Sequence, residues 1–149
     1  MFKRFVVVVL LIGLAVFVAP IFRSEYRFQM YKSEIKSCRQ LVTKISKSRP
    51  PHVPEKQWEK ASEWAGIVIS NVHAADYYFP LEELRAFRIE LERRCEGPID
   101  LNTIDWIWAH LKSGKSGGAK YTAKIEPQYR YDVYGEPSHG LGWSNEASP

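Results

Sequence analysis

The chain has few of the residues that staple small scaffolds. Two cysteines, Cys38 and Cys95, occur in 149 residues, which excludes a disulfide-dense miniprotein and a four-thiolate zinc site. The four histidines, at 52, 73, 110 and 139, have no histidine partner three or four positions away and no Cys or carboxylate cluster in metal-ligand spacing. Neither a metal nor another cofactor is expected. Nine Gly, nine Pro and 13% aromatic residues exclude collagen and wholesale disorder. The length suits one small domain. Acids are scarce at one end: residues 1–50 hold ten Lys/Arg against two Asp/Glu, a balance of +8, and residues 51–149 hold 11 against 15, a balance of −4. The overall +4 therefore says little about nucleic acid. The basic end carries no aromatic stacking platform among its lysines, so no nucleic-acid partner is expected.

Charge is missing altogether from residues 5–22, FVVVVLLIGLAVFVAPIF. At ~1.5 Å per residue this run covers roughly 27 Å as a helix, close to the hydrocarbon thickness of a bilayer. A globular helix is rarely apolar on every face over such a length, so a transmembrane anchor is expected, with Phe5, Val9, Leu14, Phe17 and Phe22 facing lipid. A cleaved signal peptide is the competing reading. Lys3 and Arg4 in the basic tail 1–4 would be its charged region, but the small-residue site at Val18-Ala19 is followed by Pro20, which obstructs cleavage. Two orientations stay open. Arg23, Arg27, Lys32, Lys36 and Arg39 outnumber Lys3 and Arg4 and lean the C-terminal part toward the cytoplasm, whereas a short basic tail is also the ordinary start of a signal anchor that exports the downstream chain.

Beyond Arg23 the apolar residues become periodic. Phe28, Tyr31, Ile35, Cys38, Val42 and Ile45 follow spacings of three and four, which predicts an amphipathic stalk helix over 23–49. Its seam can pack on the protein's own later helices, pair with a second copy, or lie on anionic lipid through Lys32, Lys36, Arg39, Lys44 and Lys47. Three prolines within residues 50–54 end that helix in a stiff corner.

A helical head is predicted for 55–114. Its first helix carries Trp58, Ala61, Ala65, Val68 and Val72 on one face, with Glu55 in the first turn. The second begins at Pro80, directs Leu81, Leu84, Phe87, Leu91 and Cys95 inward, and stops at Arg93-Arg94-Cys95-Glu96-Gly97-Pro98. The third is capped by Asp100 or Asn102, presents Leu101, Ile104, Ile107, Trp108 and Leu111, and ends at Gly114. Each tryptophan of the head needs a partner for its indole N–H. From Lys120 the period shortens: Tyr121, Ala123 and Ile125 alternate with polar neighbours, Pro127 interrupts, and Tyr129, Tyr131 and Val133 alternate again. This predicts a hairpin over 120–134 turning at Glu126-Pro127-Gln128, and a disordered tail over 135–149. The expected fold is mainly α: a transmembrane helix continuing into an amphipathic stalk, then a bundle of three to four helices with a C-terminal β-hairpin. Cys38 and Cys95 both lie on apolar seams, either as buried free thiols or as a bridge closing a long loop.

Chemistry-bearing motifs are weak. Ala109 to Ser116 fits a phosphate loop when its first glycine is relaxed to alanine, but a helix enters where a strand is required. His73 with Asp76, one turn apart, and His110 form the acid/base set open to a tethered enzyme, against the simpler reading of a solvated helix end. Glu82 with Arg85 and Glu90 with Arg93 or Arg94 read as helical surface pairs.

The stretch Gly97-Pro98-Ile99-Asp100-Leu101-Asn102-Thr103-Ile104-Asp105-Trp106-Ile107-Trp108, preceded by the Arg- and Glu-rich segment Leu84 to Arg94, resembles a group of small uncharacterised bacterial proteins that share a GPxDLxTIDWIW-like helical module. The likeness covers roughly residues 56–130 and omits the anchor and stalk. It implies a recurrent helical module and carries over no activity, cofactor or catalytic residue. The expectation from sequence is a membrane-anchored, non-catalytic assembly or interaction subunit with a protein partner, whose contact surface is the aromatic region of Trp106, Trp108, Tyr129, Tyr131 and Tyr134. A membrane-tethered enzyme and an electrostatic membrane-surface binder are the alternatives.

Overall fold

The three- and four-residue spacing of the stalk is realised in a computed structural model that describes residues 2–72 and 78–136, with side chains described for 18–72 and 78–136. Helix α1 spans Phe2–Lys47 without interruption, Pro20 included. At ~1.5 Å per residue its 46 residues extend about 69 Å. Tyr31, Ile35, Cys38, Val42 and Ile45 are buried as one stripe, while Phe28, at the same spacing, is 52% exposed because the bundle ends below it. Among the described residues no helix is long and apolar enough to cross a membrane. Most of the apolar run, including Phe5, Val9, Leu14 and Phe17, has side chains outside the described residues; Phe22 is exposed.

The prolines end α1 as their chemistry requires. The helix stops before Pro50-Pro51, Arg49 Nη1 donates to the Val53 carbonyl (2.8 Å), and α2 (Glu55–Asn71) starts just after Pro54. Trp58 Nε1 donates to the Ser46 carbonyl (3.0 Å), clipping α2 to the end of α1 across the corner. Helices α3 (Leu81–Arg94) and α4 (Leu101–Ser113) come next, with the inward faces expected of them. At the start of α4 the choice of cap resolves to Asp100, whose side chain accepts from Thr103 N (3.1 Å) while the Thr103 hydroxyl accepts from Asp100 N. Gly114 closes the α3–α4 approach: a Cβ there would lie 3.0 Å from the Phe79 ring and 3.2 Å from Glu83.

The hairpin is absent, and the segment folds as α5 (Gly117–Tyr134). No strand occurs among the described residues. The alternation at 121–125 and 129–133 coexists with a helical set, Ala119, Thr122, Tyr129 and Val133, and that set is what the bundle buries. Ser116 caps the start by accepting from Ala119 N, and Gly135 ends the helix in the left-handed region (φ 68°), donating to the Tyr131 carbonyl (2.9 Å). Pro127 costs α5 one backbone hydrogen bond. Burial of Tyr129 and Val133 offsets that loss. The expected disordered tail lies, from residue 137 onward, outside the described residues.

The five helices form a closed ring in which α1 packs on α2 and α3, α5 on α2 and α4, and α3 on α4, while α2 and α4 meet across the middle. Cross-contacts fix directions. Tyr31 Oη donates to the Val72 carbonyl and Trp58 to Ser46, so α2 runs antiparallel to α1. Arg85 and Arg88 meet Glu34, and Lys44 Nζ donates to the Cys95 carbonyl, so α3 runs parallel to α1. The core contains Trp58, Phe87, Leu91, Ile104, Ile107 and Trp108, each 2% exposed or less; truncating Leu91 to Ala would cost about 3 kcal/mol in transfer and cavity terms. The expectation that every indole finds a partner fails at Trp108, whose Nε1 has none among the described residues.

Candidate functional site

Two polar regions stand out, and they differ in whether their charges are already answered from within. The first begins where α1 rises clear of the bundle. Between Pro20 and Arg39 one face of α1, with Tyr78 and Leu81 beside it, lines a groove of about 1220 Å³. Its floor is fixed by Tyr31, which stacks on Tyr78 (centroids 5.3 Å apart, planes 13° apart) and donates to the Val72 carbonyl at 2.8 Å. Burial pushes the Tyr31 phenol up to about 12. Along the rim stand Arg23, Arg27, Lys32, Lys36 and Arg39. None of the five makes an ion pair among the described residues; Lys32 Nζ sits 4.4 Å over the Phe28 ring.

Two acids lie on this stretch of α1: the exposed Glu25 accepts from Gln29 Nε2 (2.6 Å), and the buried one sharpens the groove's basic character by where it goes. Glu34, 8% exposed, turns away to the α3 side, where Arg85 Nε (3.1 Å) and Arg88 Nε hold its two carboxylate oxygens. The hydrogen bond to Glu34 raises the Arg88 guanidinium above its ordinary range. Arg85 therefore pairs across helices and not with Glu82, as helical spacing alone suggested, whereas Glu90 does pair with Arg93 and Arg94. Below the clamp, burial and then the Glu34 charge push the Cys38 thiol up to about 12. Cys95 is raised as well, chiefly by burial. Both thiols are free.

The second region joins α4 and α5 at Asp105. Its carboxylate accepts from Tyr129 Oη (2.7 Å) and Tyr134 Oη (2.8 Å) and pairs with Arg130 Nη1 (3.2 Å). Burial, reinforced by Asp105, raises both phenols, Tyr134 to about 12. Burial draws the Arg130 guanidinium down, but Asp105, Tyr129, Glu126 and Tyr134 together outweigh it and the net shift is upward. A cleft of about 340 Å³ opens beside this group, lined by His52, Gln57, Asp100, Asn102, Asp105 and Tyr134. Two phenols and a guanidinium already occupy the carboxylate, so Asp105 ties α4 to α5.

The aromatic surface expected from sequence does not assemble. Trp108 and Tyr129 are fully buried and stacked on one another (4.5 Å), because the hairpin that would have displayed Tyr129 is a helix facing the core. Trp106 is half-buried between Phe87 (5.5 Å) and the Arg94 guanidinium (4.5 Å), Tyr134 is committed to Asp105, and Tyr131 alone of the five is exposed. The basic set divides as well: Lys32, Lys36 and Arg39 line the groove, Lys44 is tied to the Cys95 carbonyl at 3.0 Å, and Lys47 is exposed at the end of α1. Sequence reasoning counted Arg23 and Arg27 only toward orientation; they lie one helical turn apart, as do successive members of Lys32, Lys36 and Arg39, and both sets line the groove. Of the acid/base set, His73 and Asp76 lie outside the described residues, and the His110 ring packs against Trp106 (5.0 Å) and Phe87 (5.6 Å). The loop resembling a phosphate loop has a helix on each side, where a strand had been expected to follow it. No group of three or more His, Cys, Asp or Glu among the described residues could hold a metal ion. No protein-family model matches the chain, and no curated protein and no solved structure matches it.

Proposed function

We propose that this chain is a membrane-anchored, non-catalytic subunit whose helical bundle serves assembly with another protein at the membrane surface. The observation that carries the reading is the continuity of α1: a single helix holds the charge-free run 5–22, the basic groove just beyond it, and the seam that forms one wall of the bundle. Anything bound in that groove is thereby held at a fixed height above the end of the apolar run. The bundle sits on the cytoplasmic side, where five Lys/Arg within residues 23–39 outweigh the two in the tail. Free thiols at Cys38 and Cys95 suit that reducing compartment.

Alkaline carbonate washing of membranes containing the full chain tests the anchor. Retention in the pellet, with an intact N-terminus by mass spectrometry, is the expected result. Release into the wash, or a mature chain that starts beyond Pro20, would overturn it. Reporter fusions at the C-terminus test the side: fluorescence of a cytoplasm-dependent reporter is expected, and activity of an export-dependent phosphatase would reverse the orientation.

A further inference from the structure

The basic groove on α1 has the dimensions and charge pattern of a seat for one particular kind of segment. We propose that it receives an acidic amphipathic helix of about four to five turns from a partner protein, lying alongside residues 20–39. The proposal rests on the assembly reading above and deepens it by naming the partner's chemistry.

Length decides first between a lipid and a protein occupant. From Pro20 to Arg39 the groove runs roughly 28 Å along the helix axis, whereas the headgroup layer beyond the hydrocarbon is only about 5–8 Å deep on each side. Lipid phosphates can reach Arg23 and Arg27; Lys32, Lys36 and Arg39 stand one to three turns higher. A helix parallel to α1 reaches all five. Surface character decides next. Two of the seven large hydrophobic side chains left exposed among the described residues, Phe28 (52%) and Tyr78 (51%), line the groove together with Tyr31, Ile35 and Leu81. An apolar strip edged by cations is the complement of a helix with an apolar face flanked by Asp and Glu. Charge bookkeeping decides last. Elsewhere in the bundle, Arg85, Arg88, Arg93, Arg94, Lys112 and Arg130 each have a carboxylate partner, and Glu34 is consumed on the α3 side. The rim cations are left without an internal counter-charge, so an acidic surface from outside gains their full attraction and gives up no existing pair.

The experiment is site-specific photocrosslinking of the full chain in its native membranes. A photoreactive amino acid replaces Phe28 or Ser24, with Tyr131 replaced as a control on the far side, and the crosslinked peptide is identified by mass spectrometry. The expected adduct from positions 24 and 28, and not from 131, is a peptide of another protein with acidic residues flanking a helical apolar stripe. Its yield should fall about ten-fold or more in the double variant Arg27→Glu, Lys36→Glu, which turns two attractions into repulsions. Circular dichroism melting of that variant checks that the fold is retained, and the milder Arg27→Gln, Lys36→Gln pair serves if it is not. Lipid adducts, crosslinks to a second copy of this chain, crosslinks to a segment lacking acidic residues, or no adduct at 24 and 28 would each overturn the proposal. Carbonate washing of the same membranes separates the two readings. An anchored chain without the acidic adduct sinks the groove and spares the anchor, and a released chain with the adduct does the reverse.

Discussion

Asp105 and the α1 groove are both charged, and the contrast between them separates charge used for folding from charge left for something else. At Asp105 one carboxylate answers two phenols and a guanidinium, and every participant is at least half-buried. Along α1, five cations stand on the rim of one groove and make no ion pair among the described residues. A protein gains little stability from such a face and incurs repulsion along it. The bundle's buried and half-buried arginines, Arg88, Arg94 and Arg130, by contrast each have a carboxylate partner.

Alkali should have the largest effect, because it acts on both regions at once. Tyr31 and Cys38 beneath the groove and Tyr134 at Asp105 all have folded-state values near 12 against ordinary values of 10.0, 9.0 and 10.0. The unfolded chain therefore releases these protons first. Their contribution to stability is fully present below about pH 9 and is lost progressively as pH rises toward 12. Urea midpoints should hold between pH 8 and about pH 9 and fall from there to pH 11.5, and a profile flat to pH 11.5 would mean these groups are not protected.

Asp105→Ala comes next, at about 3 kcal/mol of destabilisation by urea titration, since it strands the buried Tyr129 hydroxyl and leaves Arg130 without its closest acid. Glu34→Gln should cost less, about 1.5 kcal/mol, because Arg85 and Arg88 are partly solvated and Arg88 keeps Glu92 at 2.8 Å. Smallest of all, Arg23→Gln with Arg27→Gln should change stability by under about 0.5 kcal/mol, as exposed residues with no internal partner. A loss as large as that of Asp105→Ala would erase the distinction between the two regions. Cys38 and Cys95 sharpen the same contrast by kinetics: buried and held in the thiol form, both should resist alkylation at pH 7.5 in the native protein and react promptly in urea.

The helical seams were legible because each reports on one local period. Tyr31 to Ile45, Trp58 to Val72, Leu81 to Cys95 and Ile104 to Leu111 all bury as their spacing requires. Stops were legible too, since the prolines at 50, 51 and 54 and the Asp100 cap act through their own backbone geometry. The segment 117–134 misled because it satisfies two periods. Tyr, Thr, Ile and Val favour strands locally, and Pro127 looks like a turn, yet Ser116 and Gly135 were helix caps available to be read. The candidate site was only half visible: its cations are evident in the sequence, but Tyr78 and Leu81, which complete the groove, come from more than 35 residues away.

What residue order alone determined is the set of amphipathic helices, their ends, and the concentration of positive charge after a charge-free run, because periodicity, capping and composition are properties of neighbours along the chain. Which charges remain unanswered, which aromatics are displayed and whether 117–134 coils or extends were decided only by the tertiary structure. Those outcomes depend on what stands opposite each side chain: Glu34 turned to α3 and so left the α1 cations unpaired, and the space between α2 and α4 accepted Tyr129 on a helix.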